Sequence, residues 1–163
     1  MTVRPFLKWP DKRLRIAVPE VAAITDDIRA IWADMIETMD AMPGVGLAAP
    51  QIGVMMQLAV VDVSTERNRR IVLANPSILS ISEEMNSYEE ASPNLVGVSA
   101  TIVRPKNVLV RFLNEDGVIT RRDFTGLEAT SVQHQIDHLQ GKMYFDNLGR
   151  VKRDMLLRKA RKA

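Results

Sequence analysis

The stretch "NVLVRFLNEDGVITRRDF", residues 107–124, constrains the fold more than any other part of the chain. Two runs rich in β-branched and aromatic residues flank Asn114-Glu115-Asp116-Gly117. Asn, Asp and Gly reverse an extended chain at low steric cost, so this pattern predicts an antiparallel hairpin. Further β-rich runs precede it: "QLAVVDV" (57–63), "RIVLANP" (70–76) and "LVGVSATIV" (95–103). Antiparallel strands of this length need cover on one face, from a helix or from a second sheet.

Helical patterns supply that cover. In "TDDIRAIWADMIETMDAM" (25–42), Ile28, Ile31, Trp32, Met35, Ile36, Met39 and Met42 recur at steps of three and four. Thr25 or Asp26 suits the start of this helix, and Pro43-Gly44 suits its stop. Directly after the hairpin, Thr125 and Glu128 have the spacing of a capping box, and Gly141 suits the far end of the same helix. Val132, Ile136 and Leu139 form its apolar stripe, with His134 and His138 about 100° or more around the axis. A last helix is expected over about 150–162. Helix, antiparallel strands, then helices predicts an α+β fold. At 163 residues the chain is read as a single domain over 1–163.

Composition narrows the environment. There is no cysteine, so a disulfide framework and cysteine metal ligands are both excluded. The opening "MTVRPFLKWPDKR" lacks the apolar core of a signal peptide, and no run approaches the ~18 apolar residues of a membrane span. A cytoplasmic protein is expected, without membrane or DNA partners. Residues 148–163 hold seven Lys/Arg and one Asp, net +6, while the rest of the chain is net −4. Such a tail is either a solvated terminal helix or a contact for a polyanion.

His134 and His138 are the only histidines, and residues four apart share one helix face. Both imidazoles could therefore reach one ion, or they form a satisfied polar cluster; the spacing alone leaves both open. The metallohydrolase pattern H-E-x-x-H places a general base directly after the first histidine, where this chain has Gln135. A Ser-His-Asp arrangement is disfavoured, because Asp137 is adjacent to His138 and three residues from His134, too constrained to orient either. "GVGLAA" (44–49) superficially matches a dinucleotide-binding loop, but it follows a helix and precedes a strand, the reverse of what that loop requires. Its glycines read instead as sites where backbone approaches a ligand or another segment closely.

Four segments together, "WPDKRLR" (9–15), "GVGLAAPQIGV" (44–54), "YEEASPNLVGVSATIVRP" (88–105) and "GLEATSVQHQIDHLQGKMYFDNL" (126–148), resemble peptide deformylases in that order. The resemblance covers nearly the whole chain. It implies antiparallel sheets around a central helix carrying both histidines, with one helix near each terminus. It also implies an enzyme that removes the formyl group from the initiator methionine of nascent proteins. In that family a cysteine and two histidines bind a divalent ion, usually Fe²⁺, and a glutamate handles the proton of the attacking water. A glutamine and the backbone N–H after the cysteine stabilise the oxyanion.

Carried onto this chain, the ligand positions are His134, His138 and Ser92, with Ser92 in the place of the cysteine. Gln51 is the oxyanion glutamine, and Gln135 stands where the glutamate would be. Pro93 follows Ser92 and has no N–H to offer an oxyanion. The implied substrate pocket comprises Val45, Gly46, Leu47, Leu127, Thr130 and Ser131. Thr130 and Ser131 replace the family's usual apolar groups there, and either make the wall more polar or bond back to their own helix.

A serine hydroxyl is neutral and far less acidic than a thiol, so two imidazoles and Ser92 are expected to hold an ion poorly. Losing one oxyanion donor typically costs ~10²–10³ in rate, and losing a general base ~10²–10⁴. The sequence reading is therefore a deformylase-like protein that keeps the fold and part of the formyl-methionyl pocket, with deformylation lost or greatly weakened and no resident cofactor. Where an ion does bind, Fe²⁺, Zn²⁺, Ni²⁺ or Co²⁺ at His134 and His138 is expected. The alternatives are an active metal-dependent deformylase, another amidohydrolase, or a ribosome-associated binding module. The expected partners are nascent N-terminal peptides and the ribosome, the latter through the basic C-terminal helix.

Overall fold

Helix α1, Asp26–Ala41, starts where Thr25 Oγ1 accepts a hydrogen bond from the Ile28 amide at 3.3 Å. Its periodic residues Ile28, Trp32, Met35 and Met39 are buried. The computed structural model describes residues 2–162. Strands β1 (Gly46–Ala48), β2 (Leu58–Val61), β3 (Ile71–Ile81), β6 (Asn107–Leu113) and β7 (Ile119–Thr125) form one antiparallel sheet in the order β1-β2-β3-β6-β7. Strands β4 (Met85–Ser92) and β5 (Leu95–Pro105) pair antiparallel as a separate two-stranded sheet.

The hairpin forms as its residues dictate. Asn114 Oδ1 accepts hydrogen bonds from the Asp116 and Val118 amides at 2.9 and 3.0 Å, closing the link between β6 and β7. Alternation then buries Val108, Val110 and Phe112. Against that face packs α2, Gly126–Leu139, through Ala129, Val132 and Ile136. Full burial of a side chain such as Ile136 contributes about 1.5–3 kcal/mol. On its other side α1 packs against β1 and β2 in a second core containing Trp32, Met35 and Leu47. Helix α3, Arg150–Lys162, lies against β5, where Leu156 joins Ile102 and Tyr144. The architecture is the expected α+β arrangement, with α2 central.

Three local expectations change. The strand expected over 70–76 continues to Ile81 as β3, because β6 pairs along its second half. The capping box at Thr125 is absent: its hydroxyl bonds to Asn107 Oδ1, and Glu128 instead pairs with Arg122. Thr125 is the last residue of β7, registered opposite Asn107, so its side chain belongs to the strand pair rather than to the helix end. The short strand β1 emerges from the glycine-rich segment because β2 offers it a paired edge. Among the described residues no helix is long and apolar enough to cross a membrane.

Gly141 ends α2 with φ +77, and a Cβ there would lie 2.6 Å from the Arg15 carbonyl oxygen. Both the left-handed backbone and the contact oppose any larger residue. Gly141→Ala is expected to lower stability by about 1–3 kcal/mol, measured by urea unfolding. Gly149→Ala is the control: no atom lies within 4 Å of its Cβ position, so a change within about 0.5 kcal/mol is expected.

Candidate active site

Helix α2 turns one face toward a cavity of about 470 Å³ between β1 and the β4–β5 pair. His134, Gln135, Thr130 and Ser131 from α2, Gln51 from the turn after β1, and Ser92 at the end of β4 all line it. His134 Nε2 and His138 Nε2 stand 3.2 Å apart. Two nitrogens bonded to one tetrahedral ion at ~2.0–2.1 Å would be separated by about 3.4 Å. The pair is therefore spaced for joint ligation.

His134 is held from behind. Its Nδ1 donates to Glu90 Oε1 at 2.8 Å, which leaves the Nε2 lone pair facing His138. Glu90 accepts from Arg104 Nε at 2.7 Å and from Arg104 Nη2 at 2.9 Å, while Arg104 Nη1 donates to Asp137 Oδ2 at 2.9 Å. Arg104 and Glu90 are only 5% and 6% exposed. Burial works to raise the Glu90 carboxyl, but the hydrogen bonds from His134 and Arg104 outweigh it and hold the group below its ordinary range. Arg104 is correspondingly held above its ordinary value, burial being outweighed by Glu90 and Asp137. His138 is pushed well below its ordinary value, first by burial and then by the electrostatics of its neighbours His134 and Arg104. It is a neutral imidazole at pH 7.

Gln51 is clamped as firmly. Its Oε1 accepts from the Ala48 amide at 2.9 Å, and its Nε2 donates to Asn94 Oδ1 at 2.8 Å and to Ser92 Oγ at 3.3 Å. Ser92 Oγ donates to Asn94 Oδ1 at 3.0 Å. Asn94 Nδ2 anchors the group to the Leu7 and Gln51 carbonyls at 2.7 and 3.0 Å. A Cβ at Gly46 would lie 2.4 Å from Gln135 Nε2 and 2.5 Å from Ser131 Oγ, so any larger residue there displaces both side-chain ends.

The donor set suits a divalent ion in part. Two imidazole nitrogens converge, and Glu90 supports one ring in the way metal-bound histidines are commonly supported. The third family position, Ser92, is a neutral hydroxyl engaged with Gln51 and Asn94. Among the described residues no three His, Cys, Asp or Glu side chains gather around one point. Were an ion bound here, His134 and His138 would hold it, with Ser92 the nearest of the family positions to a third ligand.

Most residues singled out in the sequence meet at this cavity. Val45, Gly46 and Leu127 line it with Gln51, Ser92, Thr130, Ser131, His134 and Gln135. Leu47 does not: its side chain lies in the core with Trp32 and Met35, away from the cavity. His138 sits behind His134 at 2% exposure. The two options at Thr130 and Ser131 resolve against bonding back to the helix. Ser131 Oγ donates across to the Val45 carbonyl at 2.9 Å, and Thr130 Oγ1 is buried without a partner among the described residues. Sequence reasoning misses Arg104 and Asn94. The signal for Arg104 is a cation at an inward position of β5, in step with Val98, Ala100 and Ile102.

A buried histidine pair with carboxylate support thus opens on a cavity beside a clamped amide donor in an α+β domain. Residues 3–154 match the family model described as polypeptide deformylase. A peptide deformylase of Methylocella silvestris is 42% identical over 168 residues, spanning 100% of this chain and 86% of that protein. The crystal structure of a peptide deformylase from Legionella pneumophila superposes with a TM-score of 0.92 at 37% identity, covering 99% of this chain and 95% of the other. That of the Ehrlichia chaffeensis enzyme in complex with actinonin gives 0.92 at 34% identity, covering 99% and 98%. The chain belongs to the polypeptide deformylase family.

These relatives correct the expectation that deformylation is lost or greatly weakened. Proteins alike across the full chain are peptide deformylases, and one neighbour is a complex with actinonin. The expectation weighed three substituted positions one by one. The His134–His138 pair, the Glu90–Arg104 pair behind it and the clamp on Gln51 are in place.

Proposed function

We propose that this protein hydrolyses the formamide of N-formyl-methionyl peptides in the cytoplasm, with a divalent ion held by His134 and His138. The observation that carries this reading is the imidazole pair at the cavity, within a chain alike end to end to peptide deformylases. A bound divalent ion supplies Lewis-acid polarisation of the formyl carbonyl and increased acidity for a water.

The chain's own residues divide the remaining work. Glu90, kept ionised by Arg104, fixes the His134 ring and its tautomer. Gln51 offers its Nε2 hydrogens to the oxygen on which charge develops, exchanging its bonds to Ser92 and Asn94 for that contact. Pro93 adds no donor. Gln135, 4% exposed beside His134, positions a water or the substrate amide by hydrogen bonding and takes no proton at neutral pH. The exposed Lys and Arg side chains of α3 fit a tail that docks on ribosomal RNA, an attachment that would weaken steeply with salt.

Formate release from formyl-Met-Ala-Ser tests the role of the histidines. Activity that requires Fe²⁺, Ni²⁺ or Co²⁺ and falls at least about 10²-fold in His138→Ala supports the reading. Activity indifferent to both chelation and that substitution overturns it.

A further inference from the structure

We infer that two copies of this chain pair edge to edge through β7, Ile119–Thr125, antiparallel about a two-fold axis at Arg122. The inference is independent of the deformylase reading. β7 is the last strand of the five-stranded sheet, so among the described residues one row of its N–H and C=O groups faces no neighbouring strand. Its main neighbours are β6 along one edge and α2 over one face, where Phe124 joins the core. Ile119, Arg121, Arg122, Asp123 and Thr125 are all exposed.

Charge selects the occupant. In the β6–β7 ladder Arg111 lies directly opposite Arg121, and like charges so placed repel. Asp123 is on the same face, two residues along β7. Among the described residues none of these three makes an ion pair, whereas Arg122 between them does, with Glu128. In a β7–β7 pair centred on Arg122, Arg121 of each copy falls directly opposite Asp123 of the other. One axis thus creates two cross-strand ion pairs and brings a carboxylate to the crowded guanidinium pair. The same register sets the exposed Ile119 against Thr125 of the second copy. Centring the axis one residue earlier opposes Arg121 to its own copy, and one residue later opposes Asp123 to its own. An isologous contact needs a surface complementary to itself, and β7 offers that in this register alone. Arg122 meets its copy at the axis on the opposite face of the sheet. Each guanidinium is already turned onto its own chain, 3.5 Å from Glu128 Oε1 and 5.1 Å from the Phe124 ring centroid.

The other open edges do not compete. β3 runs past β2 from Ser77 to Ile81, but register shifts between Ala74 and Ser77 and between Ile78 and Ser80 interrupt its ladder with β6. Irregularities of this kind twist an edge away from pairing. β7 is registered without interruption, from Thr125 opposite Asn107 to Ile119 opposite Leu113. At the far end of the sheet β1 is three residues long and buried.

Two short strand edges bury less than a standard interface, so a reversible dimer with a Kd of about 1–100 μM is expected. Sedimentation equilibrium of the full chain measures it. Arg121→Asp and Asp123→Arg each turn both ion pairs into like-charge pairs, and each should weaken self-association at least about tenfold. Mixed in equal amounts, the two variants should associate with one another at about the wild-type strength, because every cross-strand pair then joins opposite charges. The double variant carrying both substitutions should self-associate again for the same reason. A wild-type chain that stays monomeric at about 1 mM overturns the inference. So does a dimer whose Kd neither single variant moves, and so do single variants that remain apart when mixed.

Discussion

Replacing Arg104 by methionine is expected to lower the unfolding free energy by about 3–5 kcal/mol, the usual cost of leaving one partner of a buried ion pair alone. The guanidinium is 5% exposed and makes three charged hydrogen bonds, two to Glu90 and one to Asp137. Methionine fills much of the volume but leaves the Glu90 carboxylate buried with only His134 as partner. Its pKa then moves up from the depressed position that Arg104 helps maintain. The sign follows. A carboxyl depressed in the folded state adds stability above its unfolded pKa and loses it as pH falls through the folded value. Wild type should therefore weaken only at acid pH, whereas Arg104→Met is weakened already at neutrality. Urea unfolding of both proteins at pH 7 and pH 4 measures this, and Glu90→Gln added to Arg104→Met should recover part of the loss. A single-substitution effect under about 1 kcal/mol would show that the pair is not the strut this geometry describes.

Gln135→Glu is expected to give kcat/KM for formyl-Met-Ala-Ser a new pH dependence, rising about tenfold per pH unit below the pKa of the introduced carboxylate, the mark of a general base. The position directly follows His134 on α2, lines the cavity and is 4% exposed. The exchange of amide for carboxylate conserves shape, so the change is chemical: a group that orients water becomes one that also takes its proton. Burial pushes a new carboxylate there above its ordinary range, so the gain should appear as pH rises through that value and be absent in acid. The cost is stability, about 1–3 kcal/mol, if the charge finds no donor. A pH profile that superposes on wild type would show that residue 135 does not touch the reacting water.

The two elements most legible in the sequence are those with strong local determinants. Apolar steps of three and four from Ile28 to Met42 specify α1, and Asn114–Gly117 closes the β6–β7 hairpin through the Asn114 side chain. The histidine helix is legible for the same reason, and with it the cavity residues at 130, 131, 134 and 135. What escapes depends on partners distant in the chain. β1 is three residues long and exists because β2 pairs with it. Thr125 fits a helix cap by spacing, yet strand register opposite Asn107 captures its hydroxyl. Arg104 lies 14 residues from Glu90 and 33 from Asp137, and no local pattern says that β5 will carry it beneath His134. Leu47 belongs to the pocket by its motif, and only the fold shows that its side chain lies in the core. The expectation of lost activity fails for a related reason. Three substituted residues are visible in the sequence, whereas the intact support around them is a property of the fold.

Peptide hydrolysis by the purified protein bears most directly on the central claim. Loaded anaerobically with Fe²⁺ and given excess formyl-Met-Ala-Ser, it should release formate and free amine in equal amounts over many turnovers, with both signals lost when His134 and His138 are replaced by alanine. No formate above the protein-free rate with Fe²⁺, Ni²⁺, Co²⁺ or Zn²⁺ would contradict the assignment.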